Sequence, residues 1–129
     1  MSIDVLAIVG SRDLTEAQRW QAVSIIEAVL QRSTPDAVVT GDASGIDELA
    51  AMLAERAGIT VDAKEPRGER RWAGPGGFQE RNLEIVAACT RLICLRSPQS
   101  RTYGSGWTAD EAERQGKPVR RITLVPDAA

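Results

Sequence analysis

Apolar residues in this chain fall into short unbroken runs, separated by longer stretches of helical period. Val5-Leu6-Ala7-Ile8-Val9 has no polar member and ends at Gly10. A half-exposed strand would alternate, so a run of this length predicts a strand buried on both faces. Ala37-Val38-Val39-Thr40, Ile59-Thr60-Val61, Arg91 to Leu95 and Pro118 to Leu124 predict four more strands. Between them the spacing changes. Leu14, Ala22, Val23, Ile26, Val29 and Leu30 recur every third or fourth position and predict a helix from about Thr15 to Arg32. Thr15 and Gln18 have capping-box spacing at its start. Further helices are predicted over 46–57, 78–88 and 106–115, the first and last followed by the stop signals Gly58 and Gly116.

Strand and helix alternate along the whole chain. That order predicts parallel βαβ units and an α/β, Rossmann-like three-layer sandwich with a mainly parallel sheet of about five strands. The 129 residues suffice for one core, expected over 1–125, with a flexible tail at 126–129.

Two stretches fit no element. Lys64 to Gly77 holds Pro66, Gly68, Gly74, Pro75, Gly76 and Gly77, interleaved with Arg67, Arg70, Arg71 and Trp72. Long loops in compact domains are more often functional than idle. Its arginines read either as a phosphate-facing lid with Trp72 stacking on a base, or as a solvated loop alternating with Glu65 and Glu69. The second stretch is Arg96 to Ser105. Trp20 and Trp107 read as packing or interface residues.

In open parallel sheets, ligands bind beyond the carboxyl ends of the strands. Here those ends are rich in small and polar residues. They are Gly10-Ser11-Arg12, Gly41-Asp42-Ala43-Ser44-Gly45 with Asp47, Arg81-Asn82 behind the glycine-rich loop, and Gly104-Ser105-Gly106 with Thr108. Three of these segments open onto a helix, where free amides and the dipole favour an anion. No Gly-Lys-Ser/Thr follows the glycines and G-x-G-x-x-G is absent, so neither a P-loop nor ordinary dinucleotide dehydrogenase chemistry is indicated. Structural readings stand beside these. Ser44 with Asp47, and Thr108 with Glu111, have capping-box spacing. Asp110 suits a first helical turn, and Arg12 suits a salt bridge to Asp13 or Asp47.

Composition narrows the chemistry. There is no histidine, which removes a Ser-His-Asp triad, a Cys-His pair and His-ligated metal. No metal and no cofactor are expected. Cys89 and Cys94 make no disulfide framework, and Cys94 sits in an apolar run as a buried thiol, which fits a reducing cytoplasm. The first residues lack a basic stretch, so a secretory signal is not expected, and no apolar run approaches the roughly 20 residues of a membrane span. Net charge is −2, with 16 basic and 18 acidic residues, so no global field draws the chain to nucleic acid. All the basic residues except Lys64 and Lys117 are arginine. Arginine suits bidentate anion recognition, although a GC-rich genome produces the same bias.

Taken in order, Ile8 to Asp13, Val39 to Asp47, Ala73-Gly74-Pro75, Arg81-Asn82, and Gly104 to Ala112 followed by Gly116-Lys117-Pro118-Val119 resemble the SLOG superfamily. The likeness covers nearly the whole chain and is greatest to the small YspA-related bacterial and phage proteins. Lonely Guy phosphoribohydrolases and the Rossmann domain of DprA are similar. The resemblance implies a Rossmann-like fold, with the phosphate of a nucleotide or nucleotide-sugar near Gly41–Gly45 and Gly104–Thr108. It implies ligand contact by Arg81 and Asn82, and a homodimer or higher homo-oligomer. The ligand classes it suggests are ADP-ribose, a cyclic ADP-ribose isomer or a nucleoside phosphate, sensed or sequestered. Asp42 stands where the family carries a second glycine, and its charge opposes a phosphate there. The Lonely Guy motif P-G-G-x-G-T-x-x-E is met at Thr108 and Glu111 but not in the glycines before them. As an enzyme the chain would be an N-glycosidic hydrolase of nucleoside 5′-monophosphates, with Asp110 and Glu111 as its carboxylates. Single-stranded DNA binding, by likeness to DprA, is a third reading that the acidic balance opposes.

Overall fold

The computed structural model describes residues 3–126. Its elements run β1 (Val5–Gly10), α1 (Glu16–Arg32), β2 (Ala37–Thr40), α2 (Ile46–Arg56), β3 (Thr60–Ala63), α3 (Phe78–Ala88), β4 (Arg91–Arg96), α4 (Gly104–Arg114) and β5 (Val119–Thr123). Every strand pairing is parallel, and the sheet order is β3-β2-β1-β4-β5. The chain winds outward from β1 to β3, then returns to lay β4 on the other edge of β1. The winding direction therefore reverses between β1 and β4, which opens a crevice over their carboxyl ends.

The unbroken apolar runs serve two faces at once. Leu6 and Ile8 pack with Val38, Ile93, Ala22, Ile26, Leu49 and Leu53 beneath α1 and α2. Ala7 and Val9, the intervening positions, pack with Val39, Cys94, Ile85, Val86, Ala109 and Ala112 beneath α3 and α4. This is the three-layer sandwich that the pattern predicts. Edge strands β3 and β5 are largely exposed, so their sequences show the pattern weakly. Among the described residues no helix is long and apolar enough to cross a membrane.

The capping box of α1 forms as expected, with Thr15 Oγ1 accepting from Gln18 N and Gln18 Oε1 from Thr15 N. Gln18 is fully buried, and its Nε2 also donates to Val125 O at 2.8 Å and Gln99 Oε1 at 3.1 Å. The final described segment is thereby pinned to α1. Of the expected tail at 126–129, residues 127–129 lie outside the described residues.

Two local readings change. Helix α4 begins at Gly104 rather than 106, because Trp107 N donates to Tyr103 O at 2.7 Å and closes a turn of small residues. The Tyr103 ring lies over Gly106, where a Cβ would fall 2.4 Å from a ring carbon. These glycines permit close packing rather than a loop. Thr108 and Asp110 consequently lie beyond the first turn, and Thr108 Oγ1 donates to Gly104 O at 2.8 Å instead of capping. The Ser44–Asp47 box is also absent. Gly45, at φ 77°, caps α2, while Ser44 Oγ donates to Arg12 O and Asp47 Oδ2 accepts from Ala43 N.

Candidate functional site

A cavity of about 650 Å³ opens where the winding reverses. That is the size of a small-molecule site. Val9 and Gly10 contribute from β1, and Arg12, Ala43 and Asp47 from the segments after β1 and β2. Arg81 and Asn82 come from α3, and Gly104, Ser105 and Thr108 from α4. These strand-end residues, separated widely in sequence, meet at one concavity.

The other expected site residues shape this wall without forming it. Ser11 Oγ accepts from Ser97 N at 2.9 Å and joins the ends of β1 and β4. At Gly41 a Cβ would lie 2.5 Å from Asp47 Oδ2 and 3.0 Å from Arg81 Nη1, so the bare backbone lets both groups close over the strand end. Gly45 turns beneath the carbonyls of Ser11 and Arg12. Asp42 bridges Arg81 and Arg70. Ser44 and Gly106 are occupied as described above.

Asp110 and Glu111, expected as the carboxylates of a hydrolase, do not line the cavity. At 100° per residue, Asp110 is turned about 200° from Thr108, and Glu111 lies about 4.5 Å further along the axis. Asp110 pairs with Arg121 at 2.6 Å, and Glu111 pairs with Arg114, whose hydrogen bond lowers the Glu111 pKa. Arg12 forms no salt bridge to Asp13 or Asp47 among the described residues. Its guanidinium lies 5.9 Å from the centre of the Phe78 ring.

Aromatic walls are the part that strand-end reasoning missed. Of three Trp, one Tyr and one Phe, only Trp20 lies away from the cavity. Trp72 and Trp107 meet edge to face, with ring centroids 5.1 Å apart, so Trp107 joins the wall rather than the core. Phe78 is approached by Arg12, Arg70 at 5.7 Å and Arg81 at 5.4 Å. The signal was present in the sequence. A core built without aromatic residues leaves these rings clustered at 72–78 and 103–107, within or beside the two irregular stretches. In the arginine-rich loop, Arg70, Arg71 and Trp72 line the cavity, while Arg67 pairs with Glu84 and Arg71 with Glu69.

Charge and free donors are unevenly spread. Arg81 is only 6 % exposed and donates to Asn82 Oδ1, Asp42 Oδ1 and Lys64 O. Asp47 is equally buried. Burial raises its pKa to about 6, against the opposing pull of Arg81 and the Ala43 N–H. One of the three helix starts, that of α3, has its first two amides closed by the protein itself, and α2 only its first. Phe78 N and Gln79 N donate to Arg71 O and Trp72 O, and Ile46 N to Ser11 O. At α4, the amides of Gly104, Ser105 and Gly106 find no acceptor among the described residues. That end of the cavity favours negative charge.

No family model matches the sequence, and no curated protein matches it. Solved structures do. DNA processing protein A (DprA) from Streptococcus pneumoniae is similar at 22 % identity and a TM-score of 0.70, over 92 % of this chain and 50 % of that one. The molybdenum cofactor binding protein from Rippkaea orientalis is similar at 16 % identity and a TM-score of 0.71, over 95 % of this chain and 78 % of that one. The molybdenum cofactor carrier protein from Chlamydomonas reinhardtii is similar at 18 % identity and a TM-score of 0.67, over 93 % and 78 %. The chain spans half the length of the DprA chain. At these identities the likeness is one of fold. The fold places the crevice; its chemistry rests on the residues that line it.

Proposed function

We propose that this protein binds a nucleotide-derived small molecule, of ADP-ribose or nucleoside phosphate type, and senses or sequesters it. The observation that carries this reading is the make-up of the one crevice at the sheet's reversal. Aromatic rings for a base, arginines and open helix amides for phosphate, and a buried carboxylate for hydroxyl or amino groups converge there. Two proteins of the same fold, the molybdenum cofactor binding protein and carrier, hold a small cofactor. This supports a holding role over a catalytic one, as does the position of Asp110 and Glu111 outside the cavity. DNA binding, suggested by DprA, calls for a basic stripe tracking a backbone, whereas the cavity arginines converge on one concavity. The homo-oligomer implied by the resemblance belongs to the same proposal, and sedimentation measures it.

The test is calorimetric titration with ADP-ribose, a cyclic ADP-ribose isomer and AMP. Binding tighter than about 1 mM, near −4 kcal/mol, is expected for at least one. A ligand at 100 times its dissociation constant adds about 2.7 kcal/mol to stability, so a thermal-shift panel reads the same event. Absence of both signals across the panel defeats the reading.

A further inference from the structure

Three guanidiniums around Phe78 look at first like the seat of a polyphosphate. Two of them are already occupied. Asp42 Oδ1 lies 2.6 Å from Arg81 Nη1, and its Oδ2 lies 3.0 Å from Arg70 Nη1 and 2.5 Å from Arg70 Nη2. One carboxylate thus bridges two cavity-lining arginines, as a phosphate would. Asp42 itself stands behind the wall. Its side chain is 16 % exposed and that of Arg81 is 6 % exposed, so the pair is shielded from solvent and salt. The remaining Arg81 contacts go to Asn82 Oδ1 and Lys64 O.

We propose that Asp42 is a specificity residue, an internal counter-anion that keeps phosphate off Arg70 and Arg81. This rests on reading the crevice as a site for nucleotide-derived ligands. A phosphate at this end would face Asp42 and the neighbouring carboxyl of Asp47, or would have to displace Asp42 and strand a part-buried charge. The β2 end of the cavity therefore takes an uncharged, donor-bearing group, a sugar hydroxyl or a ring amine, for which Asp47 is the acceptor. The anionic part of the ligand lies towards the open amides of α4, and Arg12, beside the same Phe78 ring but paired with no carboxylate among the described residues, is the guanidinium left for it. This reverses the expectation of phosphate at Gly41–Gly45.

The experiment titrates inorganic pyrophosphate calorimetrically into the wild type, Asp42→Asn, Glu69→Gln and Arg70→Gln. Asp42→Asn, close in shape, is expected to bind about tenfold more tightly, a gain of about 1.4 kcal/mol, or to bind where the wild type does not. Glu69→Gln removes one charge from the exposed Arg71 pair and is expected to change affinity less than about twofold. A gain under about fivefold in Asp42→Asn, or an equal gain in Glu69→Gln, overturns the proposal. Should Asp42→Asn not fold, Arg70→Gln decides. Its side chain is 60 % exposed, and on this proposal it does not hold pyrophosphate, so affinity should not fall. A loss of about fivefold or more would show that Arg70 was free to hold the anion. The probe is pyrophosphate, so this outcome is separate from the nucleotide titrations. Nucleotide binding without the Asp42→Asn gain defeats only this inference, and the gain without nucleotide binding defeats only the proposed function.

Discussion

Trp72, on the arginine-rich loop, meets Trp107, on α4, at 90° with their ring centroids 5.1 Å apart. The contact joins the most irregular stretch of the chain to the helix whose amides are open, in the lining of the crevice. An edge-to-face pair contributes about 0.5–1.5 kcal/mol, whereas stacking of a base on an aromatic ring contributes about 1–3 kcal/mol. Trp72→Ala should therefore weaken nucleotide binding about tenfold while lowering stability by no more than about 1.5 kcal/mol. Tryptophan emission should also change on titration of AMP or ADP-ribose. Trp20, 67 % exposed and away from the cavity, is the internal reference: Trp20→Phe should keep the signal and Trp72→Phe should reduce it.

Asp47 makes stability depend on pH in a defined direction. Burial raises its pKa from 3.8 to about 6. Between those values the folded protein holds a proton that the unfolded chain has lost, so this group's contribution falls as pH rises through the window. Full ionisation costs about 3 kcal/mol as an order of magnitude. Asp47→Asn does not titrate. The stability of Asp47→Asn relative to wild type should rise between pH 4 and pH 6.5 and level off above, in urea unfolding at fixed salt. A constant difference across that range would show that Asp47 titrates normally.

The alternation inside Val5–Val9 explains how much of the fold was legible. Leu6 and Ile8 serve one layer and Ala7 and Val9 the other, so a single apolar run already implies helices on both faces. The strand-end rule then led to Gly10, Arg12, Asp47, Arg81 and Thr108 before any contact was known. What was not legible depends on partners distant in sequence. Nothing local at Asp42 announces Arg81, 39 residues away. Nothing in Phe78-Gln79 announces that Arg71 O and Trp72 O close the start of α3, so the site appeared to have more open helix amides than it has. The start of α4 was misplaced because glycines 104 and 106 carry the propensity of a loop, while Tyr103 packing on Gly106 decides for helix.

Gln18 carries more stability than a polar helix residue suggests. It is fully buried and holds Thr15 N, Val125 O and Gln99 Oε1 at once. Gln18→Ala opens a cavity and strands these groups, so a loss of about 2–3 kcal/mol is expected in urea unfolding. Trp20→Ala, two residues along on the exposed face, should change stability by no more than about 0.5 kcal/mol. Equal effects from the two substitutions would remove Gln18 from its role as the link between α1 and the final described segment.

If the protein turns over a nucleotide at all, the carboxylate involved is Asp47. It is the one carboxylate among the described residues that lines the cavity, and its pKa of about 6 lies where a group can hold or release a proton near neutrality. Asp110 and Glu111 face Arg121 and Arg114 outside the crevice. Incubation with AMP, followed by chromatography for free adenine, is expected to show at most slow release. Asp110→Ala and Glu111→Ala should leave any release within about twofold of wild type, while Asp47→Asn should lower it by about 100-fold or more. Adenine release that collapses in Glu111→Ala and survives in Asp47→Asn would place the chemistry at Glu111, outside the cavity lining, and the crevice would then not be the reacting site.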